Sequence, residues 1–157
     1  MSRFSEISEY KNTILTKLIQ NDNIVKAVGN VNSNFLDTAS ISNPRELLFE
    51  NIYPFLYVPD TETEQKCYIT IKFKFQRDNN VYKLGKVCFY VFAHQDILKT
   101  DYPWLRTDYI INQIDDTFNE TRDLGIGEVQ FGSMEDMKFS NTHSGSYVEY
   151  VNLSFNW

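Results

Sequence analysis

The segment Cys67-Tyr-Ile-Thr-Ile-Lys-Phe-Lys-Phe75 decides the fold class, because apolar and polar side chains alternate along it without interruption. Successive side chains of a β-strand point to opposite faces of the sheet. One face of this strand therefore carries Cys67, Ile69, Ile71, Phe73 and Phe75, and the other carries Tyr68, Thr70, Lys72 and Lys74. We predict a strand with one face in the core and the other face against water or a neighbouring layer.

A second strand is predicted over Tyr82 to Ala93, joined to the first by the turn signal Asp78-Asn79-Asn80. Its segment Val87-Cys-Phe-Tyr-Val-Phe-Ala93 is apolar on both faces. Such a strand is central in its sheet and covered on both sides. A helix supplies one cover, and the second is either another layer of this chain or a neighbouring subunit.

Helical periodicity appears on either side of this hairpin. Apolar residues recur at helical spacing from Ser5 to Ile19, which predicts an amphipathic helix packed on the sheet. A further short helical turn follows over Ile24 to Val28. A third segment is predicted from near Pro103 or Leu105 to about Arg122, and Gly125-Ile-Gly127 closes it.

Between the first helices and the hairpin, residues 30–50 are predicted to form an insertion loop and a short helix. Asn43-Pro44 is a helix start, with Asn as the cap and Pro at the first helical position, and this helix runs to about residue 51. Residues 55–58 are expected to form a brief strand. It lies at a sheet edge, because Pro54 and Pro59 cannot donate hydrogen bonds to a neighbouring strand.

The C-terminal part contains one short and one longer strand pattern. Residues 129–131 are predicted to form a short strand, and residues 132–145 have no regular period, which indicates an extended loop. Residues 147–155 alternate again and predict a final strand. The complete pattern is that of a single α+β domain over residues 1–157, with a mostly antiparallel sheet packed by two main helices.

Composition excludes several function classes. The 157 residues are 42% hydrophobic and 15% aromatic, which is enough to fold one core. With 15 Lys and Arg against 21 Asp and Glu, the net charge is -6. No run of basic residues indicates a site for tight, sequence-specific DNA binding. No secretion signal or membrane-spanning run is visible, so the expected compartment is a cytoplasm. Cys67 and Cys88 are then expected to be buried thiols.

The sequence offers little catalytic chemistry. His94 and His143 are the only side chains that ordinarily titrate near neutral pH, and no nucleophile or second ligand accompanies either one. Asp115 and Asp116 are adjacent on a predicted helix, where neighbouring side chains do not face each other. We expect no enzyme, no metal and no cofactor. An enzyme would require His94 in a deep pocket beside a carboxylate with a shifted pKa.

Three stretches carry a family resemblance. They are Ile14-Leu-Thr-Lys-Leu-Ile-Gln-Asn-Asp-Asn-Ile-Val-Lys-Ala-Val28, Glu46-Leu-Leu-Phe-Glu-Asn-Ile-Tyr-Pro-Phe-Leu-Tyr-Val-Pro59 and the end from Tyr147 to Phe155. With the order of helices and strands, they resemble the tail-terminator and neck proteins, or head-tail connectors, of long-tailed bacteriophages. The resemblance implies a virion protein that is assembled in the host bacterial cytoplasm. It forms a six-fold homo-oligomeric ring, caps the tail tube and contacts the tube protein and neck or portal-associated proteins. DNA passes through such a ring without specific binding, and no membrane is involved.

The residues expected to make assembly contacts on this reading lie at the hairpin tip and in the predicted C-terminal loop. They are Asp78, Asn79, Asn80, Tyr82, Met134, Met137 and Phe139. Two alternatives stay open beside the terminator: another neck ring, such as an adaptor or stopper, and a monomeric protein-binding or inhibitor module.

Overall fold

A computed structural model describes residues 4–59, 64–78, 81–120 and 128–152. Its regular elements are α1 (Phe4–Gln20), α2 (Asp22–Gly29), β1 (Ile52–Tyr53), β2 (Cys67–Asp78), β3 (Val81–His94), α3 (Arg106–Phe118), β4 (Val129–Lys138) and β5 (His143–Asn152). Three short 3-10 turns join them, at Phe35–Asp37, Pro44–Leu47 and Gln95–Ile97. Two helices precede the first three strands and one helix precedes the last two, so helices and strands do not alternate regularly, as is typical of α+β proteins.

The five strands form one sheet in the order β1-β2-β3-β5-β4. β1 runs parallel to β2, and all other neighbours are antiparallel. The predicted hairpin is confirmed, since Cys67 pairs with Ala93 at one end of β2 and Asp78 pairs with Val81 at the other. β3 lies between β2 and β5, which confirms the central strand. The predicted α+β class with a mostly antiparallel sheet is therefore confirmed.

The helices cover one face of the sheet. Alternate residues of β2, β3 and β5 point into this core, among them Ile69, Ile71, Val87, Phe89, Val91, Val148 and Tyr150. From the helices come Ile14, Leu18, Ile24, Ile110, Ile114 and Phe118. Burying one such side chain contributes about 1.5–3 kcal/mol, so this layer is the main source of stability.

A second, smaller cluster covers part of the opposite face. Tyr53, Tyr68 and Phe92 are buried there, and Tyr57 and Phe139 pack against them. The rings of Phe92 and Phe139 stack with their centroids 4.4 Å apart. Near Phe92, the face of β3 that points away from the helices is therefore covered by the chain's own β4–β5 hairpin.

The junction between α1 and α2 is built by Asn21. Its side-chain oxygen accepts hydrogen bonds from the main-chain N–H groups of Asn23 and Ile24, at 3.0 and 3.2 Å. This is the N-cap interaction that satisfies the free donors at a helix start. The two predicted N-terminal helical segments are thus confirmed, and α2 begins two residues earlier than the predicted turn at Ile24.

The third predicted helix is confirmed but ends sooner than the sequence indicates. The helix ends at Phe118 instead of near Arg122, and the backbone of Glu120 takes a φ of 59°, which a right-handed helix cannot accommodate. Val129 accepts the main-chain N–H of Glu120 at 2.8 Å, so the chain leaves the helix to meet β4. Gly125 and Gly127, the predicted helix stop, lie outside the described residues.

Three local predictions are wrong. Of the predicted loop 132–145, residues 132–138 belong to β4 and residues 143–145 to β5. The exposed side chains of β4 show no apolar alternation because they cover no core. The strand expected at residues 55–58 forms instead at Ile52–Tyr53, where Ile52 is buried and pairs with Ile69. The short helix expected to reach residue 51 is a single 3-10 turn, Pro44–Leu47.

Candidate assembly surfaces

β4 forms one edge of the sheet and is exposed along most of its length. Every side chain from Phe131 to Lys138 is exposed, including three large apolar ones: Phe131 (50%), Met134 (43%) and Met137 (37%). The Phe131 N–H donates to Asn119 Oδ1 at 2.9 Å, which anchors the start of the strand. Beyond that point no other described segment pairs with the outer edge of β4. An unpaired edge of this length is a template for strand pairing with another chain.

The two methionines of β4 face opposite sides of the sheet. Met134 pairs with Val148, which lies in the core layer, and Met137 pairs with Gly145. Met134 and Phe131 line a groove of about 480 Å³ between β4 and α3. That groove also contains Ile111, Val148 and the polar side chains Asp108, Asn112, Asp115 and Asn119. The edge therefore offers apolar contacts on the helix side as well as on the open side.

The open side of the sheet beside Met137 carries mixed charge. A groove of about 540 Å³ is lined by Lys72, Lys74, Lys86, Cys88, Tyr90, Glu135, Met137, Tyr147 and Glu149. Lys86 Nζ lies 3.6 Å from Glu149 Oε1, and Tyr147 Oη donates to Glu135 Oε2 at 3.1 Å. The hydrogen bond to Glu135 raises the pKa of Tyr147, because the ionised phenol would face a carboxylate. This groove can meet a polar partner surface but assembles no catalytic constellation.

The structure separates the two groups of sequence-predicted site residues. Tyr82 pairs with Arg77 near the hairpin tip, whereas Met137 pairs with Gly145, which in turn pairs with Phe92 of β3. Tyr82 and Phe92 are ten positions apart along β3, or roughly 33 Å at about 3.3 Å per residue. Asp78 pairs with Val81 in the hairpin, and Asn79 and Asn80 lie outside the described residues. The hairpin tip and β4 are thus two distinct surfaces.

Phe139 has a role inside the chain. Besides stacking on Phe92, its ring meets Tyr90 edge to face, with centroids 6.2 Å apart. Its main-chain N–H donates to the oxygen of His143 at 2.9 Å, closing the β4–β5 hairpin. Phe139 therefore folds the hairpin onto the sheet, and its contact with a partner stays a prediction.

An apolar surface at the opposite sheet edge was missed by sequence reasoning. We call it the 49–58 patch: Phe49 (57% exposed), Phe55 (48%), Leu56 (54%) and Val58 (71%). The rings of Phe49 and Phe55 lie 6.2 Å apart, and Phe55 also meets Tyr53 at 5.5 Å. The signal was present as an apolar run between two prolines, but the run predicts a buried strand just as well.

Phe49 stands out within this patch. Its φ is 65°, in the left-handed region that costs a bulky residue roughly 1–2 kcal/mol. Its N–H donates to the main-chain oxygen of Ile52 at 2.9 Å, so the turn holds this conformation. This strained conformation leaves the Phe49 ring exposed to solvent, where the ring adds little to the stability of the isolated subunit.

The two histidines take structural positions. Both are buried, and their rings meet edge to face with centroids 5.4 Å apart. His94 Nδ1 accepts the main-chain N–H of Asp96 at 3.1 Å and so caps the 3-10 turn after β3. Neither histidine lines the grooves described above. Asp115, one of the two adjacent helix carboxylates, accepts the Tyr150 hydroxyl at 2.8 Å, and burial together with that bond raises the pKa of Tyr150.

Within the described ranges, no three side chains of His, Cys, Asp or Glu converge as a metal site. The same part of the chain contains no helix with the length and apolar character needed to cross a membrane.

Comparison with known proteins identifies one relationship. A family model described as YomW matches residues 21–152, which includes every strand of the sheet and both edges described above. No curated protein and no solved structure matches the sequence.

Proposed function

This chain belongs to the YomW family, which indicates a phage-associated protein, and on that premise we propose that it is a structural protein of the phage neck. It assembles as a homo-oligomeric ring, hexameric by the resemblance to tail terminators, that caps the tail tube and joins the tail to the head. It performs no catalysis and takes no cofactor.

The observation that carries this proposal is the open outer edge of β4. Met134 and Met137 are exposed on its two faces, and no described segment covers the edge beyond Phe131. Natural proteins often protect edge strands by charge, bulges or a covering segment. β4 has a bulge between Phe131 and Ser133 and exposed charges at Glu135, Asp136 and Lys138, but its methionines stay exposed beside them. A ring subunit needs a surface that binds its neighbour, and an open sheet edge can provide one.

Charge supports a role as a passage for DNA. The chain has a net charge of -6, which disfavours tight binding of phosphates. By the resemblance to tail terminators, DNA passes through the ring without specific binding, which this charge allows. The protein is assembled in the host bacterial cytoplasm, ends in the virion, and contacts the tube protein and the neck or portal proteins. No membrane takes part.

Negative-stain electron microscopy tests this function directly. We expect purified protein, alone or mixed with tail tubes, to form six-fold rings, and these rings to seat on one end of each tube. Rings that bind the portal and leave the tube uncapped would identify an adaptor or stopper. A protein that stays monomeric at high concentration and caps no tubes would contradict the ring and favour a protein-binding module.

A charge substitution connects the function to β4. Met137→Asp places a carboxylate on the exposed strand, and we expect it to abolish ring formation and head-tail joining while the fold survives. The matched control is Asn12→Asp, which adds the same charge on the exposed face of α1. Normal infectious particles from Met137→Asp would remove β4 from the assembly surface.

A further inference from the structure

We propose that subunits associate head to tail, with residues 55–58 of one copy adding as a strand to the outer edge of β4 in the next copy. The inference rests on the proposed ring and names the two surfaces that close it. The occupant of the β4 edge is therefore a second copy of this chain.

The two surfaces lie where a ring requires them. A head-to-tail interface joins two different patches of the same subunit, and it closes into a ring when the rotation per subunit allows it. β4 is the last strand at one edge of the sheet, and β1, followed directly by residues 55–58, is the last strand at the other. Each subunit can thus bind one neighbour with each edge.

The backbone groups of the two surfaces are complementary. Among the described residues, no segment pairs with the outer edge of β4 beyond Phe131, and no main-chain hydrogen bond joins residues 55–58 to another segment. Phe-Leu-Tyr-Val at 55–58 has the composition of a strand, which the isolated subunit leaves unused. Addition of a short extended segment to an open edge is a common recognition mode. Pro54 and Pro59 limit the added strand to these four residues.

The exposed apolar side chains are concentrated on these two surfaces. Ten large apolar side chains are exposed within residues 7–59, 64–75, 85–120 and 128–152, the ranges for which side-chain exposure is described. Four belong to the 49–58 patch and three to β4, and the remaining ones are Val31, Trp104 and Leu105. Pairing the two edges would bury both groups together, which is the main driving force for association.

Charge argues against the alternative in which two β4 edges pair with each other. β4 carries Glu135 and Asp136, both exposed. An antiparallel β4–β4 contact centred on this region would bring these carboxylates of the two copies close together, which is destabilising. Residues 55–58 carry no charge, so their addition avoids the repulsion.

Site-specific cross-linking distinguishes these arrangements. Leu56→Cys and Met134→Cys place one reactive thiol on each surface, and the two variants are co-expressed with different affinity tags and treated with a short bismaleimide. Asn12→Cys, on the exposed face of α1, controls for random collisions. Both variants are made in a Cys88→Ala background, because Cys88 lines the open groove beside Met137. Cys67 does not interfere, because it is buried and burial raises its pKa to about 12.

We expect cross-linked dimers of Leu56→Cys with Met134→Cys, and only the Asn12→Cys background from either variant alone. A chain carrying both substitutions should give a ladder of covalent oligomers. Strong dimers from Met134→Cys alone would show β4 paired with β4 and overturn the inference. Rings on tube ends without any specific cross-link would also overturn it while the proposed function stands. If neither rings nor cross-links form, both fail.

Discussion

Arg106 Nη1 donates a hydrogen bond to the main-chain oxygen of Ala27 at 2.8 Å, across 79 residues of sequence. The Arg106 side chain is completely buried, and its guanidinium lies 4.8 Å from the centre of the Phe35 ring. In total it donates to main-chain oxygens of Ala27, Asn30, Val31, Asn32 and Ile97. The end of α2 and the loop after it present partially negative oxygens to this cation. One side chain thus ties α3 to α2 and to the insertion loop.

Replacing Arg106 should therefore destabilise the protein strongly. We expect Arg106→Met to lower the free energy of unfolding by about 3–5 kcal/mol, because several buried oxygens lose their donors at once. Urea denaturation followed by circular dichroism measures the effect. Arg45→Met, at an exposed position, is the control and should stay within about 0.5 kcal/mol of wild type. Equal stability of the two variants would contradict the stabilising role of Arg106.

A second prediction concerns the contact of β5 with β3 at Gly145. A Cβ atom here would collide with the main-chain oxygen of Val91 and would lie 2.7 Å from Phe92 Cα. Backbone in the middle of a sheet cannot move aside cheaply, so we expect Gly145→Ala to cost about 3 kcal/mol. At Gly29, the closest atom is the flexible Ile41 Cδ1, so Gly29→Ala should change stability by less than about 1 kcal/mol. Thermal unfolding of both variants tests the difference.

A third prediction is that Phe49, despite its strained backbone, matters for assembly and contributes little to folding stability. Asn tolerates the left-handed backbone, so Phe49→Asn should keep the free energy of unfolding within about 1 kcal/mol of wild type. The substitution removes an exposed aromatic side chain from the 49–58 patch. The association constant for assembly of the subunits should therefore fall by about tenfold, or about 1.4 kcal/mol. Analytical ultracentrifugation over a concentration series measures the change. The control Val31→Asn removes an apolar side chain that is exposed outside both surfaces. Equal assembly of both variants would contradict a role for the patch.

A fourth prediction follows from the two thiols. Burial raises the pKa of Cys67 to about 12 and that of Cys88 to about 11. An unfolded thiol has a pKa of about 8.5, so above that pH the unfolded state binds fewer protons than the folded state. Stability is then fully present below pH 8.5 and should fall by up to about 1.4 kcal/mol per thiol for each pH unit above it.

Urea denaturation at several pH values between about 8 and 9 tests this dependence, since about nine-tenths of each unfolded tyrosine is still protonated at about pH 9. In the variant with both Cys67→Ala and Cys88→Ala most of the decline should be lost. If the free energy of unfolding fell with the same slope in that variant, groups other than the two thiols would be responsible.

Much of the fold follows from residues whose periodicity reports burial. The alternation over Cys67 to Phe75 predicts β2 because every second side chain enters the core, and the stripe of α1 predicts that helix for the same reason. Only residues 129–131 of β4 were predicted as a strand, because the exposed residues that follow, such as Met134 and Glu135, show no such period. The burial of Arg106 was not predicted either, since an arginine in the first turn of an amphipathic helix normally faces solvent.

The candidate surfaces were predictable only in part. Met134 and Met137 were identified as contact residues, but as members of a loop, and only strand pairing with β5 places them on an open edge. The 49–58 patch follows from the turn that ends at Ile52, where a left-handed Phe49 directs its ring outward.

The sequence by itself determined the α+β class, the hairpin and the helices, because local periodicity and turn residues reflect which side chains leave water. The tertiary structure alone decided which strands are edges, where Arg106 finds its acceptors, and that two apolar surfaces occupy opposite ends of one sheet. These properties depend on contacts between distant residues, such as Ala27 with Arg106, and no local pattern encodes them.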